Sequence, residues 1–217
     1  MIRWASRALP ALLVVAGAAL AQDSLDAGRL ALAAQPGYDG RQAYLDERDL
    51  LKKAGETWRL RQHRDAIALA EEFAAAHPYS ARVQAMLDNF KTGMLRSTRD
   101  RDERSRYAKE ASGHRARLRA LMSSVSHGKR CESFDDGCRV IQIGEEQAFI
   151  EFSGVGPNTV ESSERVVSPR GTAFDVLAVT DGDGRKRTYS FDVSPFFKDC
   201  PQCGPKGGAG AATGEKK

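Results

Sequence analysis

The sequence predicts an α+β fold, in which a helical N-terminal half precedes a small, mostly antiparallel β-rich domain. Apolar side chains recur at helical spacing between residues 46 and 122. After Ser123 the pattern changes to short segments in which apolar and polar residues alternate, as in half-buried strands. The sequence Asp181-Gly-Asp-Gly184 separates two of these segments and predicts a β-hairpin.

Residues 1–21 have the three parts of a cleavable secretory signal peptide. Arg3 and Arg7 form a basic region, an apolar run follows, and Ala19-Leu-Ala21 is a cleavage site of small residues. An uncleaved membrane anchor is the alternative, but a spanning helix needs about 20 apolar residues and this run is shorter. We therefore expect a periplasmic or secreted protein without stable membrane insertion after cleavage.

The helical region is expected to cover residues 22–126. A short helical pattern at its start ends at the turn-forming residues 35–40. Helical spacing resumes at Asp46 and stops at His77-Pro78, because a residue that precedes proline is pushed out of the α region. Two further segments with helical spacing are 81–94 and 104–122.

The β-rich domain is expected to cover residues 127–200, followed by a disordered, glycine-rich tail at 201–217. Residues 147–152 fit either a strand or a short helix opened by Glu145-Glu146. The predicted strands are 139–143, 164–168, 173–180 and 187–193.

One helical hairpin fits the 34-residue tetratricopeptide pattern. If Pro78 closes the repeat, the unit starts at Glu47, and Ala54 and Ala66 fall on the small positions where the two helices touch. An ordinary αα-hairpin that carries alanines and a proline is the alternative. Such repeats usually bind peptides or proteins on a concave face. Three or more stacked hairpins with an open groove would therefore favour a binding or scaffold protein, and a groove filled by the β-rich half would count against it.

Three segments, together with the repeat-like hairpin, resemble a family of exported bacterial proteins that is known only as a domain of unknown function. The segments are the runs 30–39, 140–146 and 171–193, the last of which carries Phe174 where that family usually has tyrosine. The resemblance implies a tetratricopeptide-like N-terminal half and a β-rich C-terminal half, and it implies no activity.

The four cysteines all lie in the C-terminal half. In an exported protein, Cys131, Cys138, Cys200 and Cys203 are expected to form disulfides. Local pairing, 131 with 138 and 200 with 203, is preferred because each pair is close in sequence, although cross-pairing is also open. A zinc knuckle and a thioredoxin-like motif at Cys200-Pro-Gln-Cys203 are the alternatives.

The positive charge is concentrated in one segment. Residues 91–130 carry 12 basic and 4 acidic side chains, whereas residues 131–217 carry 10 and 14. A solvated helix face, partly neutralised by the acidic β-rich half, is the simplest interpretation; phospholipid headgroups or lipopolysaccharide are other candidates. Nucleic acid is not expected, because a single aromatic residue interrupts the run. The candidate partner surface consists of Arg104, Tyr107, Arg115 and Arg119.

Recognisable catalytic and metal-binding motifs do not occur in the sequence. The four histidines lack metal-ligand spacing, and Glu145-Glu146 is interpreted as a pair of exposed glutamates. No catalytic residue, metal or cofactor is expected, and the oligomeric state is not indicated. The sequence thus favours a non-enzymatic scaffold or binding protein of the cell envelope with a protein or peptide partner. An envelope enzyme or thiol-redox protein that uses the β-rich half is the alternative.

Overall fold

The computed structural model describes residues 24–153 and 158–196. The expected signal peptide, the expected tail, Cys200 and Cys203 lie outside these ranges. Within them the chain has the α+β fold that the sequence predicts, with six α-helices and a four-stranded mixed sheet. The helices are α1 (24–34), α2 (Gly40–Arg59), α3 (His63–Ala76), α4 (Ala81–Ser97), α5 (Arg101–Ser126) and α6 (Ile143–Ser153).

Polar side chains cap the starts of three helices. The carboxylate of Asp39 accepts hydrogen bonds from the second and third N–H groups of α2, so this helix begins at Gly40, earlier than the predicted start at Asp46. Ser80 caps α4 and Asp100 caps α5 in the same way. Each cap supplies an acceptor for N–H groups that have no partner inside the helix.

Consecutive helices α2 to α5 pack against each other as antiparallel neighbours, which confirms the expected helical hairpins. Ala54 and Ala66, which the repeat pattern places where two helices touch, are both fully buried between α2 and α3. Trp58 closes the same core by stacking on Phe90, with ring centroids 4.3 Å apart. Gly93 leaves room for this indole, because a Cβ atom there would lie 2.7 Å from it.

The sheet is mostly antiparallel, with the strand order β1-β4-β3-β2. Only β1 runs parallel to its neighbour, β4. The predicted hairpin between β3 and β4 is confirmed: the side chain of Asp181 accepts the N–H groups of Asp183 and Arg185, and Gly184 adopts a positive φ of 77°. The strands are β1 (Cys138–Arg139), β2 (Thr159–Val167), β3 (Ala173–Thr180) and β4 (Lys186–Asp192).

The strand predicted at 139–143 is wrong beyond its first residue. Pairing with β4 stops at Arg139, and α6 begins at Ile143 and includes the ambiguous segment 147–152. The carboxylate of Glu145 accepts the N–H of Ile141 at 2.8 Å, which turns the chain into the helix. In a short apolar run, the spacing of apolar residues does not distinguish a buried strand from a buried helix, and the strand was predicted for this reason.

Helix α6 lies between the helical half and the sheet. On one side, Ala148 is fully buried in a cluster with Leu118 of α5. On the other side, Phe149 meets Tyr189 and Phe191 of β4 edge to face, with centroids 5.8 and 5.6 Å apart. This one helix therefore contributes to the cores of both halves.

Candidate partner-binding surface and buried polar network

The exposed side of α5 carries a row of six residues, four of them arginines, which we call the basic stripe. All of its side chains are exposed, and their separations of three or four residues place them on one side of the helix. At 1.5 Å per residue, the stripe is about 27 Å long. Its members are Arg101, Arg104, Ala108, Ser112, Arg115 and Arg119.

The arginines of the basic stripe differ in their pairing. Among the described residues, no carboxylate lies within ion-pair distance of Arg101, Arg104 or Arg119. Arg115 instead donates two hydrogen bonds of 2.8 Å to Asp88 on α4. In the part of the chain that the structure describes, the ion pairs of the basic segment 91–130 are made with carboxylates of the helical half, such as Glu71, Asp88 and Glu110, and not with the acidic β-rich half as expected.

Tyr107 does not belong to the exposed surface that the sequence indicated. Its side chain is only 4% exposed, because it lies on the face of α5 that also buries Ala111 and Leu118. The guanidinium of Arg106 covers the ring at 4.9 Å from its centroid. Tyr107 is therefore part of the helix packing and does not belong to the candidate partner surface.

Beside Tyr107, a nearly buried lysine bridges three helices. Lys91 of α4 lies 2.6 Å from Glu71 of α3 and 2.7 Å from Glu110 of α5. Burial opposes the charge on this lysine, but its hydrogen bonds to Glu110 and Glu71 outweigh that effect and raise its pKa. All three charges are thus satisfied within the protein.

The side of the helical half where α2 and α4 lie together is covered by α6. Arg82 of α4 reaches across to α6, donating to Gln147 at 3.0 Å and lying 3.3 Å from Glu151. Tyr44 of α2 accepts a hydrogen bond from the same glutamine. The groove in which tetratricopeptide hairpins usually bind peptides is therefore filled by this protein's own C-terminal half.

Glu145 and Glu146 are both buried, so the interpretation of exposed glutamates is wrong. Glu145 is 1% exposed and accepts two hydrogen bonds of 2.8 Å from the guanidinium of Arg29 on α1. The remaining donors of Arg29 reach Asp26, Ser124 and the carbonyl oxygen of Arg139. This buried ion pair connects α1 and the end of α5 to the start of α6.

A signal for this network was present in the sequence. In α1, Arg29 stands four residues after Leu25 and three before Leu32, on the apolar side of the helix. A charged residue at such a position is buried, and a buried charge requires a partner of opposite sign. The sequence could have indicated a buried carboxylate, but not which of the glutamates supplies it.

A second buried carboxylate lies at the junction of α2, α4 and α6. Glu47 is 1% exposed and accepts a 2.6 Å hydrogen bond from the hydroxyl of Ser80. Gly144 packs so closely that a Cβ atom there would lie 2.6 Å from the carboxylate. Burial raises the pKa of Glu47, although the hydrogen bond from Ser80 opposes the shift. The Ser80 hydroxyl also accepts the N–H of Val83 at 3.3 Å, so the same side chain caps α4 and binds Glu47.

Glu146 points to the sheet side of α6. It is 3% exposed, and its Oε1 has no hydrogen-bond partner among the described residues. Burial raises its pKa well above the usual range, and the nearby charge of Asp175 adds to this shift while Arg165 opposes it. Arg165 and Asp175 are cross-strand neighbours that form two hydrogen bonds of 2.7 and 2.8 Å.

Cys131 and Cys138 form a disulfide, as the preferred local pairing predicts, with Cα atoms 5.1 Å apart. Both cysteines are buried, and the carbonyl of Cys131 accepts the N–H of Ser190 on β4 at 2.6 Å. Within the described ranges, no group of three or more His, Cys, Asp or Glu side chains could hold a metal ion. Across the same ranges, no helix combines the length and apolarity that crossing a bilayer requires.

Comparisons of the whole chain with protein-family models, curated proteins and solved structures find no match.

Proposed function

We propose that this chain is an exported, non-enzymatic binding protein that presents the basic stripe of α5 to an acidic partner protein of the cell envelope. The observation that carries the proposal is the stripe itself, in which Arg101, Arg104 and Arg119 are exposed without an ion-pair partner among the described residues. Arginine suits this role because its planar fork matches a carboxylate and stays charged at all physiological pH values.

The location of the site follows from the packing of α6. The groove side of the hairpins is covered, so a peptide cannot bind there without displacing a helix that belongs to the core. Helix α6 does not cover the outer side of α5, so a partner can reach it. Small residues at Ala108 and Ser112 leave its centre flat between the arginines at the two ends.

Export and family membership are part of the same proposal. A buried disulfide at Cys131–Cys138 is typical of proteins that fold in an oxidising compartment, and the signal-peptide pattern of residues 1–21 agrees with that setting. The resemblance to the uncharacterised exported family also supports a periplasmic or secreted location. Membership of that family remains a proposal.

A charged surface of this kind contributes mainly to association rate and specificity. Complementary charges steer the encounter of two proteins, and this effect weakens as salt screens them. Anionic lipid is a competing target for exposed arginines, so the test includes it. The outcome then assigns the stripe to a protein or to a membrane.

The test compares Arg104→Glu/Arg119→Glu with the charge-matched control Arg41→Glu/Arg48→Glu on α2, whose arginines are also exposed. The probes are a 15-residue poly-glutamate peptide and vesicles of phosphatidylglycerol and phosphatidylcholine, titrated at low and physiological salt. We expect the peptide to bind with salt-dependent affinity, and the α5 variant to lose about tenfold or more, since it reverses two contacts. The control variant should retain wild-type binding.

A photo-crosslinking residue placed at Ala108 in cells should additionally capture one acidic protein, and the same residue at Lys52 on α2 should not. Binding of wild-type protein to the vesicles but not to the peptide would overturn the proposal in favour of a membrane surface. Equal losses in both variants would also overturn it, because binding would then depend on net charge and not on α5.

A further inference from the structure

A second charged region lies away from the basic stripe, where the chain leaving α5 passes over the sheet. Here a cleft of about 260 Å³ opens between the loop that follows α5, helix α6 and strand β4. Its volume is slightly below the range of about 300–1,000 Å³ that is usual for ligand pockets, so it would take only a small molecule. It is lined by Lys129, Arg130, Glu132, Phe149, Arg187 and Tyr189.

The rim of the cleft has an excess of positive charge. Lys129 and Arg130 are exposed, and no carboxylate within the described residues lies at ion-pair distance from either of them. Arg187 is shared between Glu132 at 3.8 Å and Asp181 at 3.4 Å. Three cations and one carboxylate thus line the opening, and an anion entering it would meet two cations, Lys129 and Arg130, that have no carboxylate partner among the described residues.

The floor of the cleft is aromatic. Phe149 and Tyr189 are 8% and 4% exposed and meet edge to face at 5.8 Å, which fixes both rings. The hydroxyl of Tyr189 has no hydrogen-bond partner in the part of the chain that the structure describes. The cleft therefore offers an apolar surface, one free hydroxyl and a cationic rim side by side.

The rim is held in place by covalent and backbone constraints. The disulfide from Cys131 to Cys138 and the hydrogen bond from the Ser190 N–H to the Cys131 carbonyl attach the loop to β4. His127 and Cys131 adopt left-handed φ values of 49° and 62°, which few residues other than glycine adopt. A loop fixed in this way presents its charges with little loss of conformational entropy on binding.

We propose that this cleft binds a small organic carboxylate whose body is an aromatic or similarly flat apolar group. The carboxylate would lie between Arg187, Lys129 and Arg130, and the apolar body on Phe149 and Tyr189. The site is separate from the basic stripe, so the inference goes beyond the proposed partner binding and does not depend on it.

The test titrates the full-length, oxidised protein with phenylacetate and follows backbone amides by ¹H–¹⁵N NMR. Amides of 129–132 and 187–190 should shift in a saturable way, while those of α2 should not. Acetate and inorganic phosphate, which lack the ring, and phenethylamine, which reverses the charge, should each bind about tenfold or more weakly.

Two variants locate the site. Arg187→Gln should weaken phenylacetate binding about tenfold, whereas the control Arg170→Gln, an exposed arginine beside Asp135, should bind as the wild type does. Opening the loop with Cys131→Ser/Cys138→Ser should also weaken binding while the amide spectrum of α2 to α4 stays unchanged. Absence of saturable shifts, shifts spread over unrelated surfaces, or equal binding of acetate and phenylacetate would each overturn the proposal.

Discussion

At the scale of single residues, Glu146 is the side chain whose environment is least like that of a surface glutamate. It faces the sheet from α6, close to the charge of Asp175, and lacks a hydrogen bond at Oε1 within the described residues. Its pKa is raised, first by burial and then by that charge. A group with a raised pKa in the folded state stabilises the fold fully below its unfolded pKa and loses that contribution as the pH rises through the folded value.

We therefore predict that Glu146→Gln makes the protein more stable relative to wild type as the pH increases from 4 to 8. The amide keeps the shape of the protonated acid but has no charge to bury. Each unit of difference between the two pKa values corresponds to about 1.4 kcal/mol of unfolding free energy. Urea unfolding at several pH values measures the difference between the two proteins.

The matched control is Glu164→Gln on the exposed strand β2, which should follow the wild-type pH profile. Glu47 also has a pKa raised by burial, so some decline in stability with pH should remain in Glu146→Gln. If the two curves stay parallel between pH 4 and 8, Glu146 titrates as an exposed residue and the prediction is wrong.

Residue-level features differed in how far the sequence could predict them. Exposure of Arg104, Arg115 and Arg119 was predictable, because long charged side chains on a helix rarely become buried without partners. Burial of Tyr107 was predictable too, because it stands four residues before Ala111 and eleven before Leu118, on the apolar side of α5, and its assignment to the partner surface disregarded that spacing. Glu145 was missed because its partner, Arg29, is distant in the sequence.

At the scale of secondary-structure elements, the C-terminal strands were predictable where a local signal existed. Alternation over 173–180 and the turn at Asp181 were sufficient for β3 and β4. The first part of β2 was not found, because it is exposed on both faces and therefore lacks an alternating pattern. Helix α6 was ambiguous for the opposite reason: it is enclosed by two layers and buries residues on both sides, among them Glu145 and Glu146, so it has no single apolar face.

The contact between α1 and α6 combines the buried ion pair of Arg29 and Glu145 with the packing of Leu25 against the cluster of Ala148, and the ion pair can be tested separately. We predict that Arg29→Met lowers the free energy of unfolding by about 3–5 kcal/mol, because it leaves the carboxylate of Glu145 buried without a counter-charge. Urea denaturation followed by circular dichroism measures the change. The control Arg115→Met removes an exposed arginine from its pair with Asp88 and should change the midpoint little.

The double variant Arg29→Met/Glu145→Leu separates charge from shape. Removing both charges eliminates the buried, unpaired group, so this variant should recover much of the stability that Arg29→Met loses. If Arg29→Met is as stable as the control, the ion pair does not contribute to attaching α1 to α6.

At the scale of the whole molecule, the helical half is completed by the C-terminal half. One and a half tetratricopeptide-like units are fewer than the three that such folds normally need to bury a continuous core. Here Ala148 of α6 fills the space beside Ala81 and Leu118, and Arg82 pairs with residues of α6. The α5 stripe remains exposed because α6 occupies the other side of the helices.

We predict, as a consequence, that residues 24–126 do not fold cooperatively when produced alone. Loss of α6 exposes the apolar cluster around Leu118 and leaves the guanidinium of Arg29 without Glu145. The isolated segment should show a broad, low-amplitude urea transition by circular dichroism, whereas a control chain ending at residue 196 should unfold in one sharp step. A sharp transition of the segment at the midpoint of the longer chain would show that its hairpins form an autonomous repeat unit. In that case the coupling between the halves would not be what stabilises the helices.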